Sequence, residues 1–137
     1  MKNYLKAEFE AKSINESVAR VIVAGFIMPC DPTVEQMADI KTAVSEAVTN
    51  AIIHGYEGHG GTVGMELELE NGLLTVKIHD DGVGIDDVKK ACEPLYTSKP
   101  ECDRSGMGFT VMESFMDSLH IESKPMEGTT VIMTKEI

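Results

Sequence analysis

The first thirty residues change from an alternating to a helical pattern of hydrophobic positions. Every second residue over Leu5–Ala11 is apolar, which predicts a half-buried β-strand. Ser13 and Glu16 then have the spacing of a capping box, in which each side chain satisfies a free backbone amide at a helix start. The helix that follows has a predicted buried face with the 3.6-residue period, made up of Val18, Val21, Ile22, Gly25 and Phe26.

A second, longer helix is predicted from about Thr33 to about His54. Either Asp31 or Thr33 is expected to cap it, with Pro32 near the first turn and Gly55 at the end. Its apolar positions again recur with the helical period: Met37, Ile40, Val44, Ala47 and Ala51.

Strands and one further helix account for most of the remaining chain. Asn71-Gly72 is a strong hairpin signal between two alternating segments. A short helix is expected over Asp86–Cys92 and an irregular loop over Glu93–Arg104. The other predicted elements are strands at Thr62–Glu70, Leu73–His79, His120–Ser123 and Thr129–Thr134, and a helix at Phe109–Leu119.

This order of elements predicts an α+β fold. Hairpins at both ends of the sheet make it mostly antiparallel, and the helices are expected to cover one face, giving a two-layer sandwich. At 137 residues, with 42% hydrophobic and 26% charged residues, residues 1–137 are expected to form a single domain.

Composition narrows the classes of function. The net charge of −11 argues against nucleic acid as a direct partner, because phosphates repel an acidic surface. No apolar run approaches the roughly 20 residues of a membrane span, and the N-terminus has no apolar signal core. Three cysteines without a C-x-x-C motif favour free thiols in a reducing cytoplasm, and the histidines show no zinc-ligand spacing with them.

Glu46 and Asn50 are four residues apart and therefore lie on one face of the second helix. An amide oxygen suits magnesium, which binds phosphates together with few protein ligands. A carboxylate one turn away can accept the proton of a nucleophile that attacks a γ-phosphate. The alternative for Glu46 is a solvated surface charge, whereas Asn50 in mid-helix competes with the backbone, which favours a specific role.

Two glycine-rich turns add to this pair. Asp80 ends an apolar strand, where its carboxylate can accept an amino group such as that of adenine, and Gly82 and Gly84 allow close approach of a flat ring. Gly106 and Gly108 precede a helix, where free amides favour an anion. A tight turn and a loop hinge are the respective alternatives. Neither a Walker motif nor a dinucleotide-binding fingerprint is present.

Taken together, these patches resemble the Bergerat-fold (GHKL) ATPases, the group that includes gyrase and histidine kinases. Within that group the chain resembles the anti-sigma-F factors of sporulating bacteria, a family of serine protein kinases. The resemblance covers nearly the whole chain and is carried by these segments: NESVAR at Asn15–Arg20, SEAVTNAIIHGY at Ser45–Tyr56, HDDGVGI at His79–Ile85, KPECDRSGMGFTVMESFMD at Lys99–Asp117 and GTT at Gly128–Thr130.

The resemblance implies specific roles. Glu46 is the expected general base, Asn50 the ligand of Mg²⁺, and Asp80 the residue that recognises the adenine of ATP. Glu16 and Arg20 are expected on a surface that contacts the sigma factor and an anti-anti-sigma protein, which is phosphorylated on serine. Further residues expected at the nucleotide, most of them in an ATP lid over Thr97–Gly108, are Gly82, Gly84, Thr97, Ser98, Arg104, Ser105, Gly106, Met107, Gly108, Phe109 and Thr130.

The same resemblance implies a homodimer, formed through the first strand and helix, and regulation of transcription during sporulation by a sigma-F-type factor. Three other functions remain open. A related stress-response anti-sigma kinase would use the same site. A detached histidine kinase domain would transfer phosphate to a histidine. A neutral imidazole acceptor has less use for a general base than a hydroxyl does, so this function explains Glu46 less well. A nucleotide-gated binding module would sequester its partner without chemistry.

Overall fold

The computed structural model describes residues 1–85 and 108–137. The short helix expected over Asp86–Cys92 and the loop expected over Glu93–Arg104 lie outside the described residues. So do six of the residues expected at the nucleotide: Thr97, Ser98, Arg104, Ser105, Gly106 and Met107.

Eight helices and strands of the described residues follow the predicted order. The strands are β1 (Lys2–Glu10), β2 (Thr62–Glu70), β3 (Leu73–Asp80), β4 (Ser118–Lys124) and β5 (Gly128–Glu136). The α-helices are α1 (Asn15–Ile27), α2 (Val34–Asn50) and α3 (Gly108–Phe115), with a 3₁₀ turn at Met28–Cys30 and a π-helical turn at Ala51–Gly55. No helix among the described residues is long and apolar enough to cross a membrane.

The five strands form one antiparallel sheet in the order β1-β2-β3-β5-β4. Asn71 and Gly72 connect β2 to β3 with φ angles of 50° and 81°, the left-handed pair that a tight two-residue hairpin requires. Alternate residues of the inner strands are buried under the helices, so one face of the sheet is covered. The predicted α+β two-layer sandwich is therefore confirmed.

The core lies between this face and the helices, and α2 packs against both α1 and α3. Ile40, Val44 and Ala47 of α2 are buried, as their spacing predicts. Met112 of α3 and Met116, the residue after its end, supply further buried side chains.

The predicted buried face of α1 is correct for Phe26 and Ile22 but wrong for Val18 and Val21. The residues of α1 that are buried are Ala19, Val23, Phe26 and Ile27, whereas Val18 and Val21 are 44% and 71% exposed. Both sets of positions have helical spacing, so periodicity alone cannot choose between them.

The two helix starts differ. Ser13 and Glu16 do not form the predicted capping box, because α1 begins without a side-chain cap and Glu16 instead binds the Thr49 hydroxyl. Thr33, one of the two predicted caps of α2, accepts the Gln36 N–H at 3.0 Å, and the Gln36 side chain returns to the Thr33 N–H at 2.9 Å. This complete capping box fixes the start of the helix that carries the candidate site.

Candidate functional site

Glu46 and Asn50 lie on the face of α2 that meets the start of α3. A Cβ atom added to Gly108 would be 3.1 Å from Asn50 Nδ2 and 3.4 Å from Glu46 Oε2. The backbone of Gly108 therefore passes directly over both polar side chains, and a larger residue there would crowd them. The predicted grouping of Glu46, Asn50 and Gly108 is present in the fold.

The Asn50 side chain has unused hydrogen-bonding capacity. Its Nδ2 atom is buried and has no hydrogen-bond partner within the part of the chain that the structure describes. Buried amide groups nearly always find an acceptor, so a donor without one is typical of a functional position. Asn50 fits a site where its oxygen faces a cation and its nitrogen faces a phosphate or water oxygen.

No group of three or more His, Cys, Asp and Glu side chains in residues 1–85 and 108–137 could hold a metal ion. A magnesium ion that relies on Asn50 would therefore take most of its ligands from phosphates and water, as magnesium commonly does.

Asp80 ends β3 with its carboxyl group inside the protein, only 4% exposed. Its Oδ1 atom accepts the Gly82 N–H at 2.9 Å. Burial raises the pKa of Asp80 to about 6, because desolvation outweighs the amides of Gly82 and Thr129, which favour the charged form. A buried acceptor without a salt-bridge partner among the described residues can bind a neutral amino group that donates a hydrogen bond.

Gly55 is a site residue that the sequence analysis treated only as a helix end. A Cβ atom on Gly55 would be 2.5 Å from Asp80 Oδ1, so the carboxylate lies directly on the backbone of the π-helical turn. The Gly55 carbonyl accepts the Val83 N–H at 2.8 Å, and a Cβ atom on Gly82 would be 1.9 Å from the same oxygen. The sequence did contain a signal for this contact: Gly55 ends the second helix, and Gly82 follows the acid at the end of the strand. Glycines allow two backbones to come into contact.

Gly84 and Phe109 lie near the ends of the described segments. Gly84 has φ 76°, which favours glycine, and a Cβ there would meet the Lys124 carbonyl at 1.9 Å. Phe109 is half-buried in the first turn of α3. These positions confirm the predicted turn and helix start, while their contact with nucleotide stays a prediction.

Thr130 lies on the opposite face of the sheet from the Asp80 carboxyl group, and its contact with nucleotide stays a prediction. In the register of β3 with β5, Thr130 is opposite His79, and its hydroxyl is 2.8 Å from His79 Nδ1 on the face without helices. Thr129 is opposite Asp80 and is buried on the same face as that carboxyl group. Since neighbouring strand residues point to opposite faces, Thr129 is the threonine beside Asp80.

Glu16 and Arg20, the residues expected to contact partners, are both half-buried on α1. Arg20 Nη1 donates to Ser45 Oγ at 2.8 Å and Nη2 donates to Ser17 Oγ at 3.0 Å. Glu16 Oε1 accepts the Thr49 hydroxyl. The two side chains therefore join α1 to α2 next to the site.

Comparison with protein families gives a match to the histidine kinase-like ATPase domain over residues 9–135. The chain is 55% identical over 136 residues to the anti-sigma F factor of Clostridium acetobutylicum, covering 99% of this chain and 95% of that protein. It is 54% identical over 138 residues to the anti-sigma F factor of Bacillus licheniformis, covering 100% of this chain and 94% of that protein.

A solved structure with a similar fold is the histidine kinase domain of the blue-light activated histidine kinase EL346 from Erythrobacter litoralis. The TM-score is 0.59 at 20% identity, and the similarity covers 88% of this chain and 60% of that one. At this identity the similarity concerns the arrangement of strands and helices alone.

Proposed function

The chain belongs to the histidine kinase-like ATPase family and, within it, to the anti-sigma F factors, and from this we propose that it is an ATP-dependent protein serine kinase of the cytoplasm. In this proposal it binds a sigma-F-type factor when ATP is bound, and it phosphorylates an anti-anti-sigma protein on serine. The observation that carries the kinase activity is the Glu46–Asn50 pair beneath Gly108.

In the proposed orientation the nucleotide lies along α2, with its base at the C-terminal end of the helix. Asp80 accepts the adenine amino group beside Gly55, and Asn50 and Glu46 lie one and two turns back along the helix. Glu46 and Gly55 are nine positions apart, which is about 13 Å at the α-helical rise, a length comparable to an extended nucleoside triphosphate. Thr129 lies beside Asp80 at the base end.

Glu46 accepts the proton of the substrate serine as its oxygen attacks the γ-phosphorus, and the bond to the β-phosphate oxygen breaks. Asn50 would hold magnesium through its side-chain oxygen, and the bound ion would neutralise charge on the phosphates. The amide nitrogen of Asn50 donates to a phosphate or water oxygen, which gives its buried Nδ2 a partner.

The protein regulates sporulation transcription as a homodimer in this proposal. An exposed apolar stripe along α1 and the two residues that flank it supports dimerisation, because its members follow a heptad-like spacing. The stripe consists of Ile14, Val18, Val21 and Met28. Val21→Glu is expected to shift the sedimentation coefficient to that of a monomer, whereas Val34→Glu, at an exposed position on α2, keeps the wild-type value.

The test of the kinase activity is transfer from γ-labelled ATP, with magnesium, to a candidate anti-anti-sigma protein. Glu46→Gln is compared with wild type and with Glu35→Gln, a control in the first turn of the same helix. Phosphoserine is expected with wild type and Glu35→Gln, and a rate at least ~10²-fold lower with Glu46→Gln, the usual range for a lost general base. Equal rates would refute the role of Glu46. Nucleotide binding without any transfer would favour a gated binding module.

A further inference from the structure

Two polar contacts tie α1 to α2 beside the candidate site. Arg20 donates from Nη1 to Ser45 Oγ at 2.8 Å, and the Thr49 hydroxyl donates to Glu16 Oε1. Ser45 and Thr49 are the residues immediately before Glu46 and Asn50. Each tie is therefore made one residue away from a residue proposed to act on the nucleotide.

The spacing of these residues places them on two different faces of α2, one that contacts α1 and one that belongs to the candidate site. Ser45 and Thr49 are four residues apart and face α1, while Glu46 and Asn50 are four residues apart and meet Gly108. Successive residues of an α-helix are separated by about 100° around the axis. The contacts of Ser45 and Thr49 with α1 therefore fix the rotation of α2 about its axis in the same turns that carry Glu46 and Asn50.

Both helices also bury apolar side chains in the core, including Ala19 and Val23 of α1 and Val44, Ala47 and Val48 of α2. Hydrophobic attraction between apolar surfaces has no preferred direction. Hydrogen bonds depend steeply on distance and angle, so the two ties supply the directional constraint.

A small rotation would matter at the site. Side-chain tips lie about 5–6 Å from a helix axis, so a rotation of about 10° moves them by about 1 Å. A displacement of about 1 Å in a catalytic group can reduce a rate by about 10²-fold.

We propose that Ser45 and Thr49, held by Arg20 and Glu16, are positioning residues that set the direction of Glu46 and Asn50. The rate measurement for this inference rests on the proposed kinase function. The NMR measurement of the Asn50 side chain does not depend on that function. It assigns Glu16 and Arg20 a role inside the free protein, separate from any contact with a partner.

The first experiment compares Thr49→Val and Ser45→Ala with Thr42→Val, an exposed position two turns earlier on α2. Single-turnover transfer at saturating ATP, ATP affinity and melting temperature are measured for each. For Thr49→Val and Ser45→Ala we expect transfer to fall at least tenfold while the Kd for ATP changes less than threefold. Thr49→Ser and Ser45→Thr, which keep the hydroxyl, should restore the rate.

The proposal is overturned if Thr49→Val and Ser45→Ala transfer phosphate as fast as Thr42→Val. It is also overturned if their rates fall in proportion to their melting temperatures and Thr49→Ser and Ser45→Thr do not restore them. If wild type transfers no phosphate, the proposed function fails and the positioning role is judged from the NMR resonances of the Asn50 side-chain amide. Those resonances should move in Thr49→Val and stay in place in Thr42→Val. Resonances unchanged in both variants would overturn the positioning role by itself.

Discussion

Replacing the buried Asp80 by asparagine should make the nucleotide-free protein more stable at neutral pH. The Asp80 carboxyl group is 4% exposed, and burial raises its pKa from 3.8 to about 6. The folded state therefore favours the protonated acid, and ionisation at neutral pH works against folding. Asparagine has a similar shape, keeps an oxygen for the Gly82 N–H, and carries no charge at any pH.

The size of the effect follows from the difference in pKa. A rise from 3.8 to about 6 corresponds to about 3 kcal/mol of unfolding free energy. Because the folded-state pKa of Asp80 is the higher one, this stability is fully present below pH 3.8 and is lost as the pH rises through about 6. About 2 kcal/mol of the loss falls between pH 4.5 and 7.5.

Urea denaturation of the nucleotide-free protein at a series of pH values measures this effect. The free energy of unfolding of Asp80→Asn, relative to wild type, should rise by about 2 kcal/mol between pH 4.5 and 7.5. Asp31→Asn is the control, since Asp31 is exposed and has φ 51°, a conformation that asparagine adopts readily. A difference that stays constant over this pH range for Asp80→Asn would refute the argument.

Other substitutions test the packing of the site and the fold. Gly55→Ala should lower the free energy of unfolding by about 1–3 kcal/mol and weaken ATP binding in calorimetry, because its Cβ would lie 2.5 Å from the buried carboxylate. Gly25→Ala, whose Cβ meets nothing within 4 Å, should instead stabilise the protein by about 0.5–1 kcal/mol; a loss of stability there would contradict the open space. Thr33→Ala should cost about 1 kcal/mol in urea denaturation without changing ATP affinity, because it removes a cap remote from the site. Thr129→Val should weaken ATP binding in calorimetry and Thr130→Val should not, because Thr129 is buried beside Asp80; the reverse order would show that Thr130 contacts the nucleotide instead.

Much of the fold could be predicted because local chemistry and tertiary packing agree. Asn71-Gly72 provides the left-handed residues of the hairpin, and Thr33 provides a cap whose partners are its own neighbours. The grouping of Glu46 with Asn50 follows from helical spacing alone. None of these depends on distant parts of the chain.

The errors occur where distant contacts decide between local alternatives. Helix α1 has two apolar stripes, and only the sheet and α2 determine which one is buried. Glu16 has a cap-like spacing from Ser13, but the Thr49 hydroxyl, 33 residues away, is its partner. Thr129 and Thr130 differ only in which face of β5 they occupy, so the pairing with β3 had to be known.

The π-helical turn Ala51–Gly55 makes the length of this segment more important than its composition. It separates the helix that holds Glu46 and Asn50 from the glycine that contacts Asp80. Deleting one residue there would rotate Gly55 by roughly a quarter turn around the axis relative to Asn50, moving it off the carboxylate while leaving the earlier turns intact. Apolar substitutions of similar size at Ile53, which is half-buried against the core, are therefore expected to be tolerated during evolution, whereas insertions and deletions in this turn should be eliminated.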